Sequence, residues 1–93
     1  MDSNEINSNE TERIDYKIHA RTICIISRQL LRAIEYNNMQ LAQMTYNHLK
    51  GKLAKMRKEF SSEYLPLIGD LELSLIGPNS IIVQEAAKRG GLT

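Results

Sequence analysis

Apolar residues return every three or four positions from Ile14 to Phe60, the spacing of helices that bury one face. At about 100° per residue, Tyr16, Ala20, Ile23, Ile26, Ser27, Leu30, Leu31, Ala33 and Ile34 share one broad face. That predicts a first helix, starting near residues 9 to 11, with this face toward a core. Arg13, Lys17, Arg21, Arg28 and Arg32 gather on another arc about 100° wide, and Ile14, Ile18, Ile25 and Tyr36 form a second, narrower apolar strip beyond it. A helix with two apolar strips meets more than one neighbour. In "EYNNMQLA", residues 35–42, the two asparagines tolerate the left-handed conformation that ends a helix, and the second can cap the next one by accepting from its free amides. From Met39 onward Ala42, Tyr46, Leu49, Leu53, Met56 and Phe60 recur within an arc of about 80°. The second helix therefore packs by one stripe, antiparallel to the first.

After Ser61 and Ser62 the period weakens. "DLELSL", residues 70–75, alternates as a strand does, and "GPNS" could turn it back onto "IIV" as a β-hairpin, although an isolated hairpin is marginal. The preferred alternative is a short helix over residues 65–76 started near Pro66, then another over residues 80–89 with Ser80 as its cap and Gly90 as its stop. The expected fold class is all-α. An antiparallel helical hairpin occupies residues 10–62, and a C-terminal segment, residues 63–93, packs on the hairpin or on a partner. Residues 1–9 form an acidic, Asn-rich head that is expected to be disordered, because Ile6 alone after Met1 offsets little of the entropy of ordering.

The 93 residues make one small domain, and its core is mostly Ile, Leu and Met, since the chain has one Phe and no Trp. The net charge of +1 hides a segregation. Residues 1–12 carry −4, residues 13–58 carry +8, and the remainder carries −3. The basic block contains "NHLKGKLAKMRK", residues 47–58, with no acidic residue between Glu35 and Glu59. Its candidate nucleic-acid-binding residues are Arg13, Lys17, Arg21, Arg28 and Arg32 on the first helix and Lys50, Lys52, Lys55, Arg57 and Lys58 on the second, with Tyr36 or Tyr46 available for base stacking. Around the second stripe the basic residues surround a core face without forming a pocket.

Little in the chain points to catalysis. One cysteine, Cys24, and two histidines offer no metal-ligand spacing, and there is no Gly-rich phosphate loop or nucleophile elbow. No cofactor is implied. "HLKG", residues 48–51, is similar to the phosphoacceptor segment of phosphotransfer four-helix domains, but Leu49 follows His48 directly, one place short of that spacing. Gly51 inside the helix costs roughly 1 kcal/mol relative to Ala and reads as a tolerated exposed glycine. The lone cysteine, the start without a basic and apolar leader, and the shortness of every apolar run lead to the expectation of an intracellular, cytoplasmic protein outside the membrane.

The stretch "SRQLLRAIEYNNMQLA", residues 27–42, resembles the first helical hairpin of the translin family, above all its archaeal members: a Ser-Arg start, Arg-Ala-Ile, a polar tight turn and a helix-2 alanine at this spacing. The resemblance reaches "GPNSIIVQEAAK", residues 77–88, where Gln84 and Glu85 match the start of the family's Gln-Glu-x-x-Glu motif. It implies an all-helical fold that assembles into rings and binds single-stranded RNA or DNA, with metal-dependent ribonuclease activity in the Trax-like branch. Lys88 stands where the second Glu of that motif belongs, and a cation one turn from the remaining carboxylate repels a metal, so the nuclease activity does not carry over.

Two function classes follow. In the first, a non-catalytic helical protein engages single-stranded nucleic acid through its basic residues. In the second, a compact adaptor or inhibitor, such as a regulator encoded by a mobile element, binds a larger host protein. In either case Ile14, Ile18 and Ile25 form a strip that one hairpin cannot cover, and self-association is expected through it.

Overall fold

In the computed structural model the chain folds as α1 (Asp2–Glu35), α2 (Met39–Glu59), a 3-10 turn (Ser62–Tyr64), α3 (Leu65–Ile76) and α4 (Ile81–Ala87). The structure describes residues 10–93, and no strand occurs among them. The expected disordered head, residues 1–9, lies outside the described residues, and the expected start of the first helix falls at their edge.

α1 and α2 pack antiparallel through the faces their periodicity selects. Ile23, Ile26, Leu30, Ala33 and Ile34 of α1 meet Ala42, Leu49, Leu53 and Met56 of α2, and all nine are buried. Ser27, inside this face, is buried with its hydroxyl donating to the Cys24 carbonyl at 2.7 Å. The turn between the helices is built by the two asparagines. Asn37 takes φ +61°, the amide of Asn38 reaches back to the Ala33 carbonyl and that of Asn37 to Ile34, each at 2.9 Å. This satisfies the carbonyls left over at the end of α1. The Asn38 side chain then accepts from the Leu41 amide at 3.2 Å and caps α2.

The β-hairpin alternative for residues 70–83 is overturned: residues 70–75 belong to α3. Pro66 sits in the first turn of that helix, where its fixed φ fits and its missing N–H is not needed. Ile68, Leu71 and Leu75 then fall on one side at helical spacing; Ile68 is fully buried and the two leucines pack partly buried against the core. "GPNS" does turn the chain, with the Ser80 amide donating to the Gly77 carbonyl at 3.0 Å, but it delivers a helix. The Ser80 hydroxyl accepts from the Val83 amide at 3.2 Å and caps α4, which buries Ile82 and Ala86 and ends at Ala87, three residues short of the expected stop; a turn over residues 88–90 follows, with Gly90 at φ +102°.

α4 packs chiefly on α1, and α3 on α2 and α4, so the C-terminal segment closes one side of the hairpin. Side chains distant in sequence hold it there. Arg57 of α2 pairs with Glu72 of α3, and Arg89 donates to the Asn37 side chain at 2.8 Å. Glu12 of α1 accepts from the Ser61 amide and hydroxyl at 2.8 and 3.0 Å. Next to that bond Tyr16, His19, Phe60 and Tyr64 form an aromatic cluster, with Tyr16 edge-on to Phe60 at 5.8 Å and 5.1 Å from Tyr64.

Candidate functional site

The ten basic residues proposed from the sequence are divided between an exposed arc on α1 and the flanks and back of α2. On α1, Arg13, Lys17, Arg21, Arg28 and Arg32 are exposed, on an arc turned away from the buried face. Arg13 lies 3.4 Å from Glu10, and the other four have no acidic partner within ion-pair distance among the described residues. On α2 the charges are more engaged. Arg57 is paired with Glu72, Lys55 lies 3.9 Å from Glu59, and the Lys50 ammonium sits 4.5 Å over the Tyr46 ring. Lys50 and Lys52 are half-buried and Lys58 is exposed. The α2 set flanks and backs its own stripe: Arg57 turns toward α3, while Lys52, at i+7 from Thr45, falls on the flank that adjoins the α1 groove. Tyr46, a candidate for base stacking, is packed against the core with Lys50 over it, whereas Tyr36 is 77% exposed.

The second apolar strip of α1 is left open by the fold. Ile14, Ile18 and Ile25 are 51%, 53% and 48% exposed, because α4 and α2 cover other sides of the helix. At helical spacing Gln29, Arg32 and Tyr36 continue the strip within an arc of about 60°. There it runs into a groove of about 330 Å³, lined also by Ala33 and by Leu41 and Thr45 of α2. Apolar and cationic side chains thus share one exposed face of α1: Ile18, Arg21, Ile25, Arg28 and Arg32.

A second exposed face escaped the sequence reading. With Ile68, Leu71 and Leu75 turned inward, α3 presents Leu67, Asp70 and Leu73 outward, and the leucines are 48% and 65% exposed. Glu63 in the preceding turn is exposed as well, as is Ile81 at the start of α4, at 60%. The signal was present as Leu67 and Leu73 falling off the helical stripe, but it has meaning only once the segment is known to be a helix.

The remaining candidates are local. His48 is exposed, His19 is half-buried edge-on to Phe60, and Cys24 is half-buried and free. Nothing lies within 4 Å of a Cβ built on Gly51, in keeping with an exposed, tolerated glycine. Burial, followed by the charge of Asp70, pushes the Tyr16 hydroxyl pKa up; Tyr64 is raised by burial and then by Glu12. Glu85 is held below its ordinary value by hydrogen bonds from Lys88 and then Arg89. Among the described residues no group of three or more His, Cys, Asp or Glu is placed to hold a metal ion, and no helix is long and apolar enough to cross a membrane.

Compared with known proteins, the chain matches no family model, and no curated protein or solved structure is significantly similar to it.

Proposed function

We propose that this chain is a non-catalytic helical binding protein that docks another protein on the exposed face of α1. The observation that carries this reading is the pairing of a half-exposed isoleucine strip, Ile14, Ile18 and Ile25, with Arg21, Arg28 and Arg32, which lack acidic partners among the described residues. Contiguous apolar surface left in water is costly, at roughly 25 cal/mol per Å². Cations beside it select a partner whose apolar stripe is flanked by carboxylates, an acidic amphipathic helix. The test is titration of the protein with a synthetic peptide of that kind, leucines on one face and glutamates at its edges, read by fluorescence anisotropy. Saturable binding, with a dissociation constant on the order of micromolar, is expected. It is lost in Ile18→Lys with Ile25→Lys and weakened by salt. Absence of binding by the folded wild-type chain at low salt overturns the reading.

A second reading, single-stranded RNA or DNA on the same arc, is supported by the four cations that have no acidic partner among the described residues and by exposed Tyr36. The likeness of residues 27–42 to the translin hairpin adds to that support. The isoleucines separate the two readings. Phosphates have no use for an apolar strip, so Ile18→Lys with Ile25→Lys strengthens nucleic-acid binding while it abolishes peptide binding. Each neutralised phosphate on a single strand contributes roughly 0.7 to the logarithmic salt slope, and Arg21→Gln with Arg28→Gln and Arg32→Gln flattens that slope.

A further inference from the structure

The two exposed faces described above carry the same spacing with opposite charge. On α1 Arg21, Ile25 and Arg28 stand at positions i, i+4 and i+7; ahead of and along α3 Glu63, Leu67 and Asp70 stand at i, i+4 and i+7. All six are exposed, and none of the four charged side chains has an ion-pair partner among the described residues. We propose that the occupant of the α1 face is a second copy of this chain, which brings to it the face made by Glu63 of the 3-10 turn with Leu67 and Asp70 of α3. This inference rests on the reading that the α1 face docks protein, and it names the partner.

Laid against one another, the two faces put Ile25 on Leu67 and each arginine beside a carboxylate. The match holds in either direction, because each pattern begins and ends with the same charge. A parallel crossing pairs Arg21 with Glu63 and Arg28 with Asp70, and an antiparallel one exchanges the partners. Ile18 and Leu73 widen the apolar centre. Pairing α1 with α1 instead brings Arg21 and Arg28 of two copies together, and pairing α3 with α3 brings carboxylates together; both are penalised as like charges across an interface. Only the crossed pairing neutralises both faces. Since every copy carries both, each chain can donate and receive.

Charge reversal tests this without needing the partner's identity in advance. One variant carries Arg21→Glu with Arg28→Glu, the other Glu63→Arg with Asp70→Arg. All four positions are exposed, so both variants are expected to keep the wild-type circular dichroism. By light scattering after size exclusion, at low salt and tens of micromolar chain, wild type is expected above the mass of one chain. Each variant alone should fall to one chain, its self-dissociation constant raised at least about tenfold. An equimolar mixture of the two should recover the wild-type mass, because the reversed α1 face of one now fits the reversed α3 face of the other, and so should a chain carrying all four substitutions. Should a reversal disturb the helix signal, Arg21→Gln with Arg28→Gln takes its place and is expected to weaken association. A single-chain mass for wild type, or no recovery in the mixture, overturns the proposal. If the acidic peptide still binds in that case, protein docking on α1 stands and only the choice of occupant is wrong; if it does not, docking fails as well.

Discussion

Asn37 combines a left-handed backbone, φ +61°, with a side chain that accepts from Arg89 at 2.8 Å. Glycine would adopt the backbone without strain but offer no acceptor; alanine would offer neither. Through that bond the hairpin turn holds the end of α4, and Arg89 is itself held by Glu85, whose carboxylate accepts at 3.1 Å and whose carbonyl accepts at 2.9 Å. Lys88 donates to the same carboxylate at 2.8 Å. These bonds favour the ionised form and lower the Glu85 pKa from its ordinary value of 4.5. A depressed carboxylate stabilises the fold at pH values above the unfolded pKa, and the contribution is lost as pH falls through the lower, folded value. Wild type is therefore expected to melt above Glu85→Gln at neutral pH, with the difference shrinking in acid once pH passes below 4.5. A melting difference unchanged between neutral and strongly acidic buffer would show that the charge on Glu85 is not what holds α4.

For the elements, periodicity carried the reading where a single period dominates and left two readings open where two compete, of which the preferred, helical one forms. Along α1 and α2 the stripes ending in Ile34 and beginning with Ala42 are the faces that are buried, and the asparagine pair marked the turn because its chemistry is local. In residues 70–75 the leucines at 71, 73 and 75 satisfy a strand's alternation, while Leu71 and Leu75 with Ile68 also satisfy a helix. The helix prevails because it buries Ile68 against the hairpin and starts at Pro66, and Leu73 is left outside. Contacts such as Arg57 with Glu72 and Glu12 with Ser61, 15 and 49 residues apart, were not legible, since no period along one element says which other element will cover it. For the same reason the basic residues could be assigned to helix faces but not to a common surface. The paired stripes have a direct test. Leu30 and Leu53 are fully buried, so Leu30→Asp or Leu53→Asp places an unpaired carboxylate in the core. The cost, on the order of 4 kcal/mol or more, is comparable with the whole stability of a small domain. Cooperative thermal unfolding followed by far-ultraviolet circular dichroism is expected to disappear in each, and a sharp transition retained in both would contradict the hairpin packing.

At the scale of the whole molecule, the core is thin and the charges are sorted. Among the described residues the largest fully buried side chains are Ile23, Leu30, Ile34, Leu49, Leu53, Met56 and Ile68, a small set for a chain of 93 residues. A fold of this size gains proportionately from any surface it can cover outside itself. If folded chains associate through α1 and α3 and unfolded chains do not, mass action ties stability to concentration. Each tenfold rise in chain concentration above the dissociation constant then shifts the balance by up to about 1.4 kcal/mol, a change in melting temperature of several degrees for a domain this small. Salt should reduce the dependence, because the pairing of Arg21 and Arg28 with Glu63 and Asp70 is exposed and screened. Ile18→Lys with Ile25→Lys should remove it while leaving the dilute-limit melting temperature near that of wild type, since both positions are half-exposed in the single chain. The measurement is a set of calorimetric or circular dichroism melts from about 1 to about 100 µM chain. A wild-type melting temperature constant across that range would mean that the isoleucine strip stays uncovered by a second copy.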